Sequence, residues 1–113
     1  MATQTADKIV TTTSTNANDD LVWLADPVKQ LAVENYHASQ ILYVKVKTAA
    51  NAAAALAAAD ADAAVAAADD VFVIPAGKRK VVMKSTRATF VAFSHIASGS
   101  ATTFTAEGTN FRD

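Results

Sequence analysis

The 113-residue sequence predicts a mainly β protein: a small antiparallel β-sandwich or jelly-roll-like barrel, with a short Ala-rich helical insert and an extended N-terminal arm. Three observations predict it. From Asp69 onward the chain is a series of short β-rich runs separated by turn residues. Between Leu42 and Lys47 apolar and polar side chains alternate strictly, which is the pattern of a strand with one buried face. Turn signals recur at the short spacing found in sandwiches and barrels. A chain of this length has room for one domain with a modest core.

Residues 1–20 are rich in Thr, Ala, Asn and Asp and poor in large apolar side chains, with a Thr11-Thr12-Thr13-Ser14-Thr15 run. Such a segment buries too little surface to offset its own ordering entropy. It is expected to be an arm, either disordered or ordered against a neighbouring subunit, ahead of a single β domain at 21–113. The first apolar patch, Leu21-Val22-Trp23-Leu24, ends at Asp26-Pro27. A strand is expected over Val28–Tyr36, where Leu31 and Val33 alternate with Gln30, Ala32 and Glu34, and Asn35 to Ser39 supplies the turn. In the next run Leu42, Val44 and Val46 share one face, and Tyr43, Lys45 and Lys47 the other.

The segment at about 48–69 differs. Ala dominates, and Leu56 and Val65 are its only large apolar side chains. Ala has the highest helix propensity and Thr48 is a candidate N-cap. A short helix near 49–59 is expected, lying as a flap over one sheet face, with a further turn near 63–68; a low-complexity loop is the alternative. The strand pattern then returns. Val71–Ile74 reads as a short buried strand and Pro75-Ala76-Gly77 as a turn, since Pro presets φ and Gly tolerates positive φ. Lys78–Lys84 follows, with a break at Ser85-Thr86. Beyond it Thr89, Val91 and Phe93 face one side, and Phe90, Ala92 and Ser94 the other. Ser98-Gly99-Ser100 is a second turn. In the last strand Thr102, Phe104 and Ala106 alternate with Ala101, Thr103 and Thr105, and Gly108 is its expected end.

Reactive groupings are sparse. There is no cysteine, so disulfides, thiolate chemistry and Cys-based zinc sites are excluded. The formal net charge of −1 gives the chain as a whole no pull toward nucleic acid or an anionic membrane. Met1 to Asp20 lacks the basic and apolar regions of a secretory signal. The Ala49–Ala59 stretch is too short to cross a bilayer, and Asp60 and Asp62 follow it. A soluble protein made in a cytoplasm is expected. Glu34 and His37 stand three apart, but in a strand entering a turn that spacing does not converge on a metal. Ser94 and His95 are neighbours on a strand and point to opposite faces, so they cannot pair as nucleophile and base. The acidic cluster Asp60, Asp62, Asp69 and Asp70 lacks the glycine and closing glutamate of a calcium loop. No metal, cofactor or catalytic residue is assigned.

Two features remain as interface candidates. Lys78, Arg79, Lys80, Lys84 and Arg87 form the sharpest charge asymmetry in the chain. Without interleaved aromatic platforms this is not a nucleic-acid groove. It is either a solvated edge strand, where cations discourage unwanted pairing, or a band that meets a negatively charged partner. Trp23 is either ordinary packing or an interface anchor, a role in which Trp is favoured.

The run Ile41-Leu42-Tyr43-Val44-Lys45-Val46, a spacer, then Val73-Ile74-Pro75-Ala76-Gly77-Lys78 and the closing Phe90–Thr105 strand pair resemble small virion proteins of tailed bacteriophages. The resemblance spans about residues 28–108, and the Ala-rich insert departs from it. It implies a structural role in the virion, first as a capsid decoration or cement protein that binds the major capsid protein and stabilises the shell. A head–tail connector, tail or fibre-base component is the alternative, and a small carbohydrate- or peptide-binding module a third. It also implies a homo-oligomer, with a trimer favoured. Trp23 and the N-terminal arm would dock, and the 78–87 band would match charge. Neither an enzyme nor a nucleic-acid or membrane partner is expected.

Overall fold

The computed structural model describes residues 3–6, 9–14, 20–51, 53–55, 57, 71–99 and 101–110. They form eight strands: β1 (Thr3–Ala6), β2 (Ile9–Ser14), β3 (Asp20–Leu24), β4 (Val28–Asn35), β5 (Leu42–Ala49), β6 (Phe72–Ile74), β7 (Arg79–Ala97) and β8 (Thr102–Thr109). The protein is mainly β and sandwich-like, as the sequence predicts. All pairings are antiparallel except β1 with β3.

The strands form one hydrogen-bonded path, β1-β3-β7-β4-β8-β2, with β5 and β6 branching from β7. It folds into two layers because β7 belongs to both. The Phe90–Ala97 half of β7 lies between β5 and β3. Its N-terminal half pairs with β4. Between the halves the register jumps: Val28 is opposite Thr89 and Gln30 opposite Lys84, so β7 carries extra residues there. A bulge of this kind bends a strand and raises its twist. The expected break at Ser85-Thr86 is therefore a bulge in a continuous strand, with the Arg87 N–H donating to Ser85 Oγ at 3.1 Å. Opposite it, Ala25-Asp26-Pro27 turns the corner between β3 and β4.

The alternating residues meet between the layers. Val22, Leu24, Leu42, Val44, Val91 and Phe93 from the first layer pack against Val28, Leu31, Val33, Phe104 and Ala106 from the second. The Phe93 and Phe104 rings meet edge-on at 6.4 Å. Complete burial of one such side chain contributes about 1.5–3 kcal/mol. β8 keeps the expected alternation but runs one residue past Gly108. Gly108 faces this core: a Cβ there would lie 2.6 Å from Val28 Cγ1 and 2.7 Å from Leu24 Cδ1. Its lack of a side chain lets β8 close on the corner.

Several local expectations are corrected. Residues 3–6 and 9–14 pair within the sheet, β1 beside β3 and β2 beside β8. Thr, Val and Ile suit a pleated ladder even where they bring little core volume. The Val71–Ile74 run is an edge strand of three residues, with Val73 exposed and only Ile74 fully buried. Thr48 belongs to β5, and Asn51 caps the helical turn instead, its Oδ1 accepting from the Ala54 N–H at 2.8 Å. Helical residues are found at 53–55 and 57, and the expected turn near 63–68 lies outside the described residues. Ala55 is buried against Leu21 and Ala92 on the outer face of the first layer, with Trp23, Ala49 and Phe90 around it.

Gly108→Ala should destabilise the protein by about 1–3 kcal/mol through overpacking at this corner. A urea unfolding midpoint that falls at unchanged slope is the expected reading; an unmoved midpoint would show that the corner can open without cost.

Candidate functional site

The predicted interface residues occupy two places. Trp23 is half-buried on the outer face of the first layer, opposite Ala92 in the β3–β7 register, and packs on the small cluster that Ala55 covers. Lys78, Arg79, Lys80, Lys84 and Arg87 are all exposed. They lie on the N-terminal half of β7 and its preceding turn. Among the described residues this half pairs with β4 alone and is an edge of the second layer. The six residues therefore do not form one site.

Turn chemistry aims the basic band. The Lys78 N–H donates to the Pro75 carbonyl at 3.1 Å, and Gly77 has φ of 71°. This is the third position of a type II turn, where glycine carries no steric penalty. Pro75 is thus the first residue of the turn. Past it, Arg79 points to the outer face and its Nη2 donates to Glu107 Oε1 at 3.3 Å. Both groups are about half exposed or less (51% and 38%), so water screens the pair and it contributes little to stability. Lys80 Nζ reaches across to the Val73 carbonyl at 3.3 Å.

The outer face of the second layer is regular, with a polar row beside a mostly apolar one. Thr11, Thr105, Glu34 and Arg79 form one row across its four strands, and Ile9, Glu107, Ala32 and Val81 the next. Thr11 Oγ1 and Thr105 Oγ1 are 3.3 Å apart and hydrogen-bonded.

At one end of the sandwich two connections, the β4–β5 loop and the β6–β7 turn, are tied by Asn35, which is fully buried. Its Nδ2 donates to the Gln40 carbonyl at 2.8 Å and the Ile74 carbonyl at 3.1 Å. Its Oδ1 accepts from the His37 N–H at 2.9 Å, and its own N–H donates to the Lys78 carbonyl at 2.9 Å. His37 Nδ1 accepts from the Ser39 and Gln40 N–H groups, both at 2.9 Å. Both bonds need a lone pair on Nδ1, so the ring proton sits on Nε2. His37 thus shapes a loop and does not join Glu34 in a ligand pair. Ser98 Oγ donates to Gln40 Oε1 at 2.9 Å and accepts from the Ile41 N–H at 3.0 Å, docking the β7–β8 turn on the same loop.

The other histidine lies in the core. His95 stacks edge-on against Phe104 at 4.7 Å, and its Nδ1 is 2.8 Å from Ser14 Oγ. Ser94 points to the opposite face, as strand geometry requires. The Ser14–His95 pair crosses between the layers, and both residues are buried, so it serves as a structural tie. Neither Ser14 nor Asn35 stands out in the sequence as a tertiary hub. The only signal is a polar residue at an inward position of an alternating strand.

Among the described residues no group of three His, Asp or Glu side chains is placed to hold a metal, and no helix is long and apolar enough to cross a membrane. Asp60, Asp62, Asp69 and Asp70 lie outside the described residues. Comparison with known proteins gave no match among family models, curated proteins or solved structures.

Asn35→Ala would leave two carbonyls and one N–H without their partner. The expected cost is about 2–4 kcal/mol, read as a lowered urea midpoint and faster amide exchange at His37, Ser39 and Gln40. Exchange unchanged at those three amides would mean that the loop holds without Asn35.

Proposed function

We propose that this protein is a structural component of a tailed-phage virion, a decoration or cement protein that binds the assembled shell. One observation carries the reading. The β5, β6 and Phe90–Ala97 segments that resemble small virion proteins are neighbours in one layer: β5 pairs with β6 and with β7, and the Pro75-Ala76-Gly77 turn links β6 to β7, while β8 follows in the chain and lies in the second layer beside β4. A resemblance made of degenerate pieces gains weight when those pieces form a contiguous substructure.

The surface supports the same reading. Its sharpest chemical feature is the exposed cationic edge from Lys78 to Arg87, and such an edge is suited to an acidic partner surface. The mechanism is linkage. A protein that binds the assembled shell and not its dissociated subunits stabilises the shell by mass action. Several copies acting together convert a modest contact into firm attachment. No bond is made or broken, and the partner is the major capsid protein. The homo-oligomeric state, with a trimer favoured, belongs to this proposal as well.

Pelleting with expanded empty capsids tests it. The protein is expected to co-sediment, with binding that weakens as salt rises, because exposed charges are screened over about 8–10 Å at moderate ionic strength. Reversal of Lys78, Arg79 and Lys80 to Glu should abolish pelleting. The variant's fold, checked by circular dichroism, should be kept, although Arg79→Glu sets a carboxylate beside Glu34 and Glu107 and costs up to about 1 kcal/mol for each like-charge contact. No co-sedimentation at any salt would sink the cement role. Salt-independent pelleting that survives the reversal would remove the basic band from it.

A further inference from the structure

Among the described residues the layers expose five strand edges, and four are blunted. Beyond its pairing with β6, the β5 edge from Lys45 to Ala49 carries Lys45 and Lys47. The β7 edge carries Arg79, Lys80, Lys84 and Arg87 and is broken by register shifts on both sides of Leu31. β6 has only three residues and runs into Pro75. β1 has four. Cations, bulges, proline and brevity are the devices by which sheets avoid unwanted pairing. The fifth edge has none of them. β2 is Ile-Val-Thr-Thr-Thr-Ser, six residues without charge, proline or glycine. Its register with β8 is unbroken from Ile9 to Ser14, and β8 is its only strand partner among the described residues. Five of the six residues are β-branched, the type that best fits a pleated ladder. Ile9 is the most exposed large apolar side chain described, at 60%.

We infer that β2 pairs with β2 of a second copy of this chain, antiparallel about a two-fold axis, and joins two four-stranded layers into one eight-stranded sheet. Symmetry selects the partner. A two-fold contact sets each residue against its own copy or its mirror position, so a charge near the axis repels itself. The charge-free β2 edge carries no such penalty, whereas the β7 edge would oppose cation to cation. Facing limits the register to an axis through a residue, and the Thr row selects Thr11. Ile9, Thr11 and Thr13 are exposed on the outer face, and an axis through Thr11 keeps outer faces together, pairing Thr11 with Thr11 and Ile9 with Thr13 of the other copy. The row that begins at the Thr11–Thr105 hydrogen bond then continues across the joint, and side-by-side Thr pairs stabilise a ladder. The two basic edges end up at the far margins of the double sheet, so each dimer presents two cationic bands. This dimer stands in place of the trimer that the virion resemblance favours; it rests on the strand edges alone, independently of the virion reading, and its failure would be seen without capsids.

Light scattering on the full chain, followed by single-cysteine cross-linking, tests the inference. The wild type should elute as a dimer of the 11.7 kDa chain. Thr11→Lys sets like charges opposite each other and should weaken the dimer by about tenfold or more, with the β-sheet circular dichroism unchanged. Because the chain has no cysteine, Thr11→Cys supplies one defined thiol per copy. A short bis-maleimide should link it into a covalent dimer far faster than Lys84→Cys on the opposite edge. A monomer at every concentration up to about 1 mM would overturn the inference. So would a trimer that Thr11→Lys leaves intact, or equal cross-linking at both positions.

Discussion

One strand does the work of two in this protein, and its position constrains nearly everything else. β7 runs for 19 residues, pairing first with β4 and then with β3 and β5. A strand that long cannot stay flat over a core this small. It bends where its register with β4 jumps, between Lys84 and Thr89. That bend turns one sheet into two layers and sets Phe93 against Phe104. Because β3 and β4 both follow β7, their joint at Ala25-Asp26-Pro27 must turn the same corner. Gly108, with no room for a Cβ between Val28 and Leu24, is the packing consequence.

The two ends of β7 carry different burdens. Its C-terminal half is buried on both faces from Val91 to Ala97, inward by the main core and outward by Leu21 and Ala55. Its N-terminal half is an exposed edge bearing the basic side chains. One strand thus supplies both the scaffold and the most distinctive surface. Asn35 connects the two regions. By holding the Ile74 and Gln40 carbonyls and donating to Lys78, it fixes the turn from which the cationic edge departs. Buried polar groups of this kind are costly unless satisfied, and once satisfied they specify one arrangement. The surface chemistry therefore rests on an uncharged residue inside the domain.

The strands legible in the sequence were those with one wet face and one dry face. Leu42, Val44 and Val46 against Tyr43, Lys45 and Lys47, and Thr102, Phe104 and Ala106 against Thr103 and Thr105, alternate because each strand meets the core on one side only. The Pro75-Ala76-Gly77 turn was legible because positive φ is a local demand that glycine meets. The basic residues were legible as a band, and so was the chance that they lie on an edge. β1 and β2 were not. They bring few large apolar side chains, and their order comes from non-local pairing, β1 with β3 and β2 with β8 near the other end of the chain. The helix cap was misplaced for a related reason: β5 extends to Ala49 because it pairs with Phe90, which leaves Asn51 as the first residue free to cap.

By itself, then, the sequence determined the strand-forming periods, the turn at Gly77, the lack of thiol chemistry and the existence of a cationic run, because these follow from side-chain chemistry and local backbone geometry. Only the tertiary structure decided that β7 is one bent strand and not two, that residues 3–6 and 9–14 are edges of the sheet, that Ser14 reaches His95, and which edges carry charge and which does not. These are properties of pairing between segments distant in the chain, as with Thr11 and Thr105, 94 residues apart. A single strand's alternation says which face it buries and leaves open which strand lies beside it.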